Sequence, residues 1–210
     1  MSIDYLGYYH GGAAKPIGKI LDADYTGFQF YTLRLLDRRL EQGSIVVVDL
    51  GDGLVLGLVL SMKNVTRRGF EPISKTEKGL AEMLSETGEV EELITTLYTC
   101  KSIGYYSDGS FTKGGPPKAP LIYQLVYEAI EGLVKDFYRS VDFDAGYLVG
   151  LALEDRWGVV LNHFKYLSRH LSMEELKRLF VSGLQLLGEV GLSNRIPTYL
   201  REVGSWLSLL

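Results

Sequence analysis

The chain has 210 residues, of which 46% are hydrophobic and 23% charged, and its formal net charge is −4. That balance supports a folded core in one large domain, or a small barrel with a second subdomain, and excludes a disordered chain. The acidic sign argues against a general nucleic-acid binder, because neutralising phosphates takes clustered Lys and Arg.

The first elements read as β. PIGKILDAD gives a short strand from Ile17 to Leu21, ended by Asp22 and Asp24. Phe28 to Leu33 alternates and is rich in strong β formers. Leu33, Leu36 and Leu40 then share one face of a helical turn that Gly43 stops. SIVVVDL and GLVLGLVLSM follow as two strands, joined at Gly51-Asp52-Gly53. Asp-Gly between apolar runs signals a hairpin. A dinucleotide fingerprint fails there, because Gly57 comes one residue late and lies inside a strand.

The acid excess sits in KGLAEMLSETGEVEE, residues 78–92, which reads as a solvated helix face or as an acidic contact for a basic partner, with the helix placed around Thr76–Thr87. LITTLYTCKSIGYY returns as a strand carrying the lone Cys100, read as a buried inert thiol. Five or six short strands with Gly-rich turns predict a small closed barrel.

SDGSFTKGGPPKAP, residues 107–120, is a cluster of breakers and the best domain boundary. It divides a barrel unit, 1–106, from a second unit, 107–210. LIYQLVYEAIEGLVKDF then reads as a helix. Leu121, Leu125, Ala129, Leu133 and Phe137 form its stripe, which Ile122, Val126, Ile130 and Val134 widen. GYLVGLALEDRWGVVLNHF reads as a hairpin turning near Glu154–Arg156. Ser172 and Glu175 form a capping box for a helix with Leu176, Leu179, Phe180, Leu184, Leu187 and Val190 at helical spacing. The last helix starts near Pro197 and sets Tyr199, Val203, Trp206, Leu207 and Leu210 on one side. The fold class expected is α+β: a barrel, a β-hairpin and a helical C-terminal subdomain.

Motifs for catalysis fail one by one. GGAAKPIGKI has Gly18-Lys19, but Ala13 replaces the first Gly of a P-loop and Ile20 its hydroxyl. His10, His163 and His170 fit no zinc spacing, and His163 is placed at a strand end. The serine-hydrolase elbow is missing. No catalytic residue, cofactor or metal ligand is assigned, and the chain is expected not to be an enzyme. No run reaches the roughly 18–20 apolar residues of a membrane span. MSIDYLGYYHGG lacks the basic and apolar regions of a signal peptide, so a cytoplasmic location is expected.

The order of the strands resembles a known family. IGKILDADYTGFQFYTLRLLDRRLEQGSIVVVDLGDGLVLGLVLSM is similar to the HAS barrel, the small barrel at the front of HerA-type archaeal DNA translocases. IGYYSDGSFTKGGPPKAPLIYQLVYEA resembles the proline-bearing exit from that barrel, and GYLVGLALEDRWGVVLNHFKYLSRHL the hairpin leading to the motor domain. In the family the segment matching Ser168-Arg169-His170 runs into the Walker A loop; here it runs into the capped helix SMEELKRLF. The resemblance therefore implies an assembly or docking module without the motor, in archaeal DNA repair or end processing. Its partner would be a HerA-type ATPase, a NurA-type nuclease or further copies of itself. The interface residues expected are Leu121, Leu125, Ile130, Leu133, Phe137, Trp206 and Leu207. The alternative is a nucleic-acid-binding barrel, with Arg38, Arg39, Arg67 and Arg68 on phosphate and tyrosines stacking bases. A metal-dependent nuclease would instead need three or more converging carboxylates.

Overall fold

A computed structural model describes residues 4–32, 40–66 and 94–209. The acidic helix expected over Thr76–Thr87, most of the Leu33–Leu40 turn, and Arg38, Arg39, Arg67 and Arg68 lie outside the described residues.

Among the described residues a short helix, α1 (Tyr5–His10), precedes seven strands: β1 (Gly18–Ala23), β2 (Gly27–Thr32), β3 (Ile45–Asp49), β4 (Leu54–Thr66), β5 (Ile94–Ser107), β6 (Ser110–Lys113) and β7 (Leu125–Glu128). Six of them close a ring in the order β1-β2-β5-β4-β3-β7 and back to β1, every pair antiparallel. Among the described residues β6 pairs only with the end of β5. Closure leaves none of the six as an open edge along its whole length.

The barrel encloses one core and supports a second. Ile20, Phe28, Phe30, Val46, Val48, Val55, Val59, Tyr98, Cys100, Tyr105 and Val126 pack together inside it. The alternate residues Ile45, Val47, Leu54, Leu56, Leu58 and Leu60 point outward and are also buried, because a helical layer lies on them. A strand buried on both faces needs apolar residues throughout, which is why IVVV and LVLGLVL do not alternate. The turn between β3 and β4 is the hairpin expected: Leu50 N–H donates to the Gly53 carbonyl at 2.9 Å, and Asp49 Oδ1 accepts from Gly51 N–H at 2.7 Å.

The covering layer consists of α2 (Glu131–Ser140), α3 (Gly146–Leu153), α4 (Trp157–Leu167) and α5 (Met173–Glu189). It ends in a run made of α6 (Ile196–Tyr199), a π turn (Leu200–Gly204) and α7 (Ser205–Leu207). The capping box of α5 forms as expected: Ser172 Oγ accepts from Glu175 N–H at 3.3 Å, and Glu175 Oε2 accepts from Ser172 N–H at 2.8 Å. Phe137 of α2 packs so closely over Gly104 of β5 that a Cβ there would meet its ring.

Two elements correct the sequence reading. The helix expected over Leu121–Phe137 is a turn, then strand β7, then α2 from Glu131 onward. β7 lies between β1 and β3, with Gly18 opposite Val126 and Val46 opposite Glu128. Val126 enters the barrel while Leu125 and Tyr127 face the helical layer. A short strand buried on both faces has no period to tell it from a buried helix. The barrel thus takes a strand from beyond residues 107–120. The second correction is the hairpin expected over Gly146–Phe164, which is the helix pair α3 and α4. Its apolar run buries Leu148, Val149, Leu151 and Ala152, again on several sides. The break near Glu154–Arg156 is where expected: Asp155 adopts φ +55 there and pairs with Arg195.

Candidate functional site

The expected interface residues separate into three groups. Leu133, Phe137 and Leu207 are buried in the core beneath the helices, so their side chains are already used within this chain. Leu125, Ile130 and Trp206 are half-buried against the same core. Leu121 is 69% exposed, and so are its neighbours Ile122 (58%) and Tyr123 (67%).

These three residues form a tip at the β1 side of the barrel. Tyr123 N–H donates to the Ile20 carbonyl at 2.8 Å, and Ile20 N–H donates to the Gln124 carbonyl at 3.0 Å. That short ladder sets the tip beside Leu21, itself 46% exposed. Gln124 Oε1 accepts from Leu121 N–H at 2.7 Å and closes the turn. Tyr123 has φ +71, a left-handed conformation that is strained for a bulky side chain. Strain and apolar exposure coincide at one place. Sequence reading reached Leu121 and Ile122 as parts of a helix stripe but not Tyr123, whose exposure depends on the turn.

A cleft of about 570 Å³ opens where the barrel meets the helices. The β1–β2 turn forms one lip. Asp24 Oδ1 holds it by accepting from Thr26 N–H (2.6 Å), Thr26 Oγ1 (2.7 Å) and Gly27 N–H (2.9 Å), which keep its carboxyl below the usual range. The loop after β6 forms the other lip. A Cβ on Gly115 would run into the Tyr25 carbonyl, so the two lips can meet only with glycine there. Ile103, Phe137, Val141, Tyr147 and Leu186 supply apolar wall.

Polar groups enter the same cleft from β5, β6 and the start of α3. Lys113 pairs with Asp144 at 2.7 Å. Burial raises the Asp144 carboxyl, but Lys113 and the Gly146 N–H outweigh it and hold it below the ordinary value. Lys101 makes no ion pair or side-chain hydrogen bond among the described residues; its ammonium lies 2.9 Å from where a Cβ on Gly150 of α3 would stand. Ser102 is only 5% exposed, and its hydroxyl has no partner among the described residues. A second cleft of about 480 Å³ shares Lys101 and Thr26 and is lined by Asp22, Asp24 and Glu154. No motif joins Lys101, Ser102 and Lys113 to Asp144 in sequence; the β5–β6 hairpin and α3 bring them together.

Behind Tyr147 lies a buried hydrogen-bonded cluster. His163 Nδ1 donates to the Gly43 carbonyl at 2.5 Å, and Nε2 faces the hydroxyls of Tyr138 (2.6 Å) and Tyr147 (2.9 Å). Burial lowers the His163 pKa to about 4, so the ring is neutral and Nε2 accepts. His163 lies in α4 rather than at a strand end, and the cluster ties that helix to the loop before β3. These bonds give His163 a structural role. Burial also raises the Cys100 thiol well above its ordinary value, which leaves it a poor nucleophile.

Among the described residues no group of three or more His, Cys, Asp or Glu is placed to hold a metal ion, and no helix is long and apolar enough to cross a membrane. No protein-family model matches the chain, and no curated protein matches it.

Proposed function

We propose that the chain is a non-catalytic assembly module of the HAS-barrel kind that docks a protein partner in archaeal DNA end processing. The observation that carries this reading is the tip Leu121-Ile122-Tyr123, exposed and held in a strained turn on a closed antiparallel barrel. A small β-barrel is also the architecture that the resemblance implies. Burying each of the three side chains contributes about 1.5–3 kcal/mol before the cost of association. A turn strained in advance loses little conformational freedom on binding. The partner proposed is a HerA-type ATPase ring, with the tip as the contact.

The test is native mass by light scattering, for the chain alone and mixed with a HerA-type ATPase and its NurA-type nuclease from the same source. A co-eluting complex with the ATPase, lost in the triple variant Leu121→Ser, Ile122→Ser, Tyr123→Ser, is the expected result. A chain that ignores both proteins overturns the reading, and so does a complex indifferent to the tip. Salt-dependent DNA binding would then become the leading alternative.

A further inference from the structure

We infer that the cleft at the seam of barrel and helices is a binding site for a small organic monoanion with an apolar body. The inference is independent of the docking tip, which lies on the turn before β7. Two ammonium groups line the cleft, Lys101 and Lys113, against one carboxylate, Asp144. Lys113 and Asp144 satisfy each other at 2.7 Å. Lys101 is half-buried and makes no ion pair among the described residues, although Asp22, Asp24 and Glu154 line the adjoining cleft that shares it. An anion in the cleft would give Lys101 the ion-pair partner that it does not have among the described residues.

The rest of the wall fits the remainder of such a ligand. Ile103, Phe137, Val141 and Leu186 are apolar. The Tyr147 hydroxyl is committed to Tyr138 at 2.5 Å and to His163, so Tyr147 offers the cleft its ring. Ser102 lines the same wall, and its buried hydroxyl has no hydrogen-bond partner among the described residues. A volume of about 570 Å³ lies in the range of small-molecule sites. The charge count selects a monoanion such as a carboxylate or sulfonate. A phosphate dianion is usually met by more donors, often an arginine fork.

Close backbone approaches keep this space as it is. Gly150 leaves room on α3 for the Lys101 ammonium, and a Cβ there would stand 2.9 Å from it. Gly115 lets the two lips meet without a side chain between them. Gly115 therefore serves the shape of the cleft as well as the path of the chain.

The probe is 8-anilino-1-naphthalenesulfonate, an aromatic monoanion whose fluorescence rises on leaving water. Titration of the full chain should show saturable one-site binding that weakens with salt. Lys101→Met should weaken it about tenfold or more, the loss of one charge-assisted contact. Lys101→Arg should retain most of it, and Gly150→Ala, which displaces the ammonium, should weaken it several-fold. The uncharged N-phenyl-1-naphthylamine should bind more weakly and ignore Lys101→Met. Circular dichroism identifies any variant that fails to fold, in which case the Gly150→Ala and salt measurements decide. The inference is overturned if saturable binding is missing, if Lys101→Met leaves affinity within twofold, or if Leu121→Ser with Ile122→Ser abolishes binding.

Discussion

The barrel has a covered wall and a bare wall, and their strands are built differently. β3 and the first half of β4 lie under the helices, and almost every residue from Ile45 to Leu60 outside the hairpin turn is buried. β2, on the other side, alternates: Phe28, Phe30 and Thr32 are buried, while Gln29 and Tyr31 are partly exposed. β1 passes from buried Ile20 to exposed Leu21 and Asp22. Where one face meets water, the period of two survives; where helices cover the outer face, it disappears. The two apolar centres follow the same division, with one core inside the ring and the larger one between the covered wall and the helices.

The comparison breaks most sharply at Phe137, which joins α2 to the covered wall over Gly104. Phe137→Ala should cost about 3–5 kcal/mol in urea unfolding. On the bare side, Leu121→Ala should change stability by less than about 0.5 kcal/mol, the usual size for an exposed substitution. Equal losses at both sites would mean that the tip is not the solvent-facing element described.

The second test is pH. His163 is neutral when folded, with a pKa of about 4, against an ordinary value of 6.5. Below pH 6.5 the unfolded chain binds a proton that the folded chain refuses, so stability falls as pH drops through that window and levels off near pH 4. The loss from this group should reach about 2 kcal/mol at pH 5 and about 3 kcal/mol at pH 4. Thermal melts from pH 7.5 to 5 measure it above most carboxylate titration. His163→Gln should start less stable but show a shallower slope; an unchanged slope would assign the pH dependence to other groups.

Smaller effects sharpen the contrast. Ser172→Ala removes the α5 cap and should cost about 1 kcal/mol. If urea unfolding then separates into two transitions, the helical layer and the barrel are less coupled than their shared core implies. Tyr123→Gly removes a left-handed strained residue and should raise stability by about 1 kcal/mol or less, while partner binding falls. A stability loss there would mean that the Tyr123 side chain, not the turn, holds the tip.

Much of the barrel was legible along the chain. The β3–β4 hairpin follows from Gly51-Asp52-Gly53 between apolar runs, and β2 from its alternation. The α5 cap follows from Ser172 and Glu175. The segments 121–137 and 146–164 were not legible, because each is apolar on several sides and such a run has no face to read. Of the candidate sites, sequence reached Leu121 through the wrong element. It did not reach Lys101, because a lysine in a strand looks the same whether or not a carboxylate waits across the fold.

The sequence by itself determined the barrel's character, the tight turns and the capped helix, because these rest on neighbours within a few residues. Only the tertiary structure decided that β7 completes the ring, that the 146–164 segment is a helix pair, and which apolar residues remain exposed. It alone also decided that Lys101 makes no ion pair among the described residues. Those outcomes depend on which distant surfaces meet, since burial and counter-charge are properties of the assembled fold and not of the local chain.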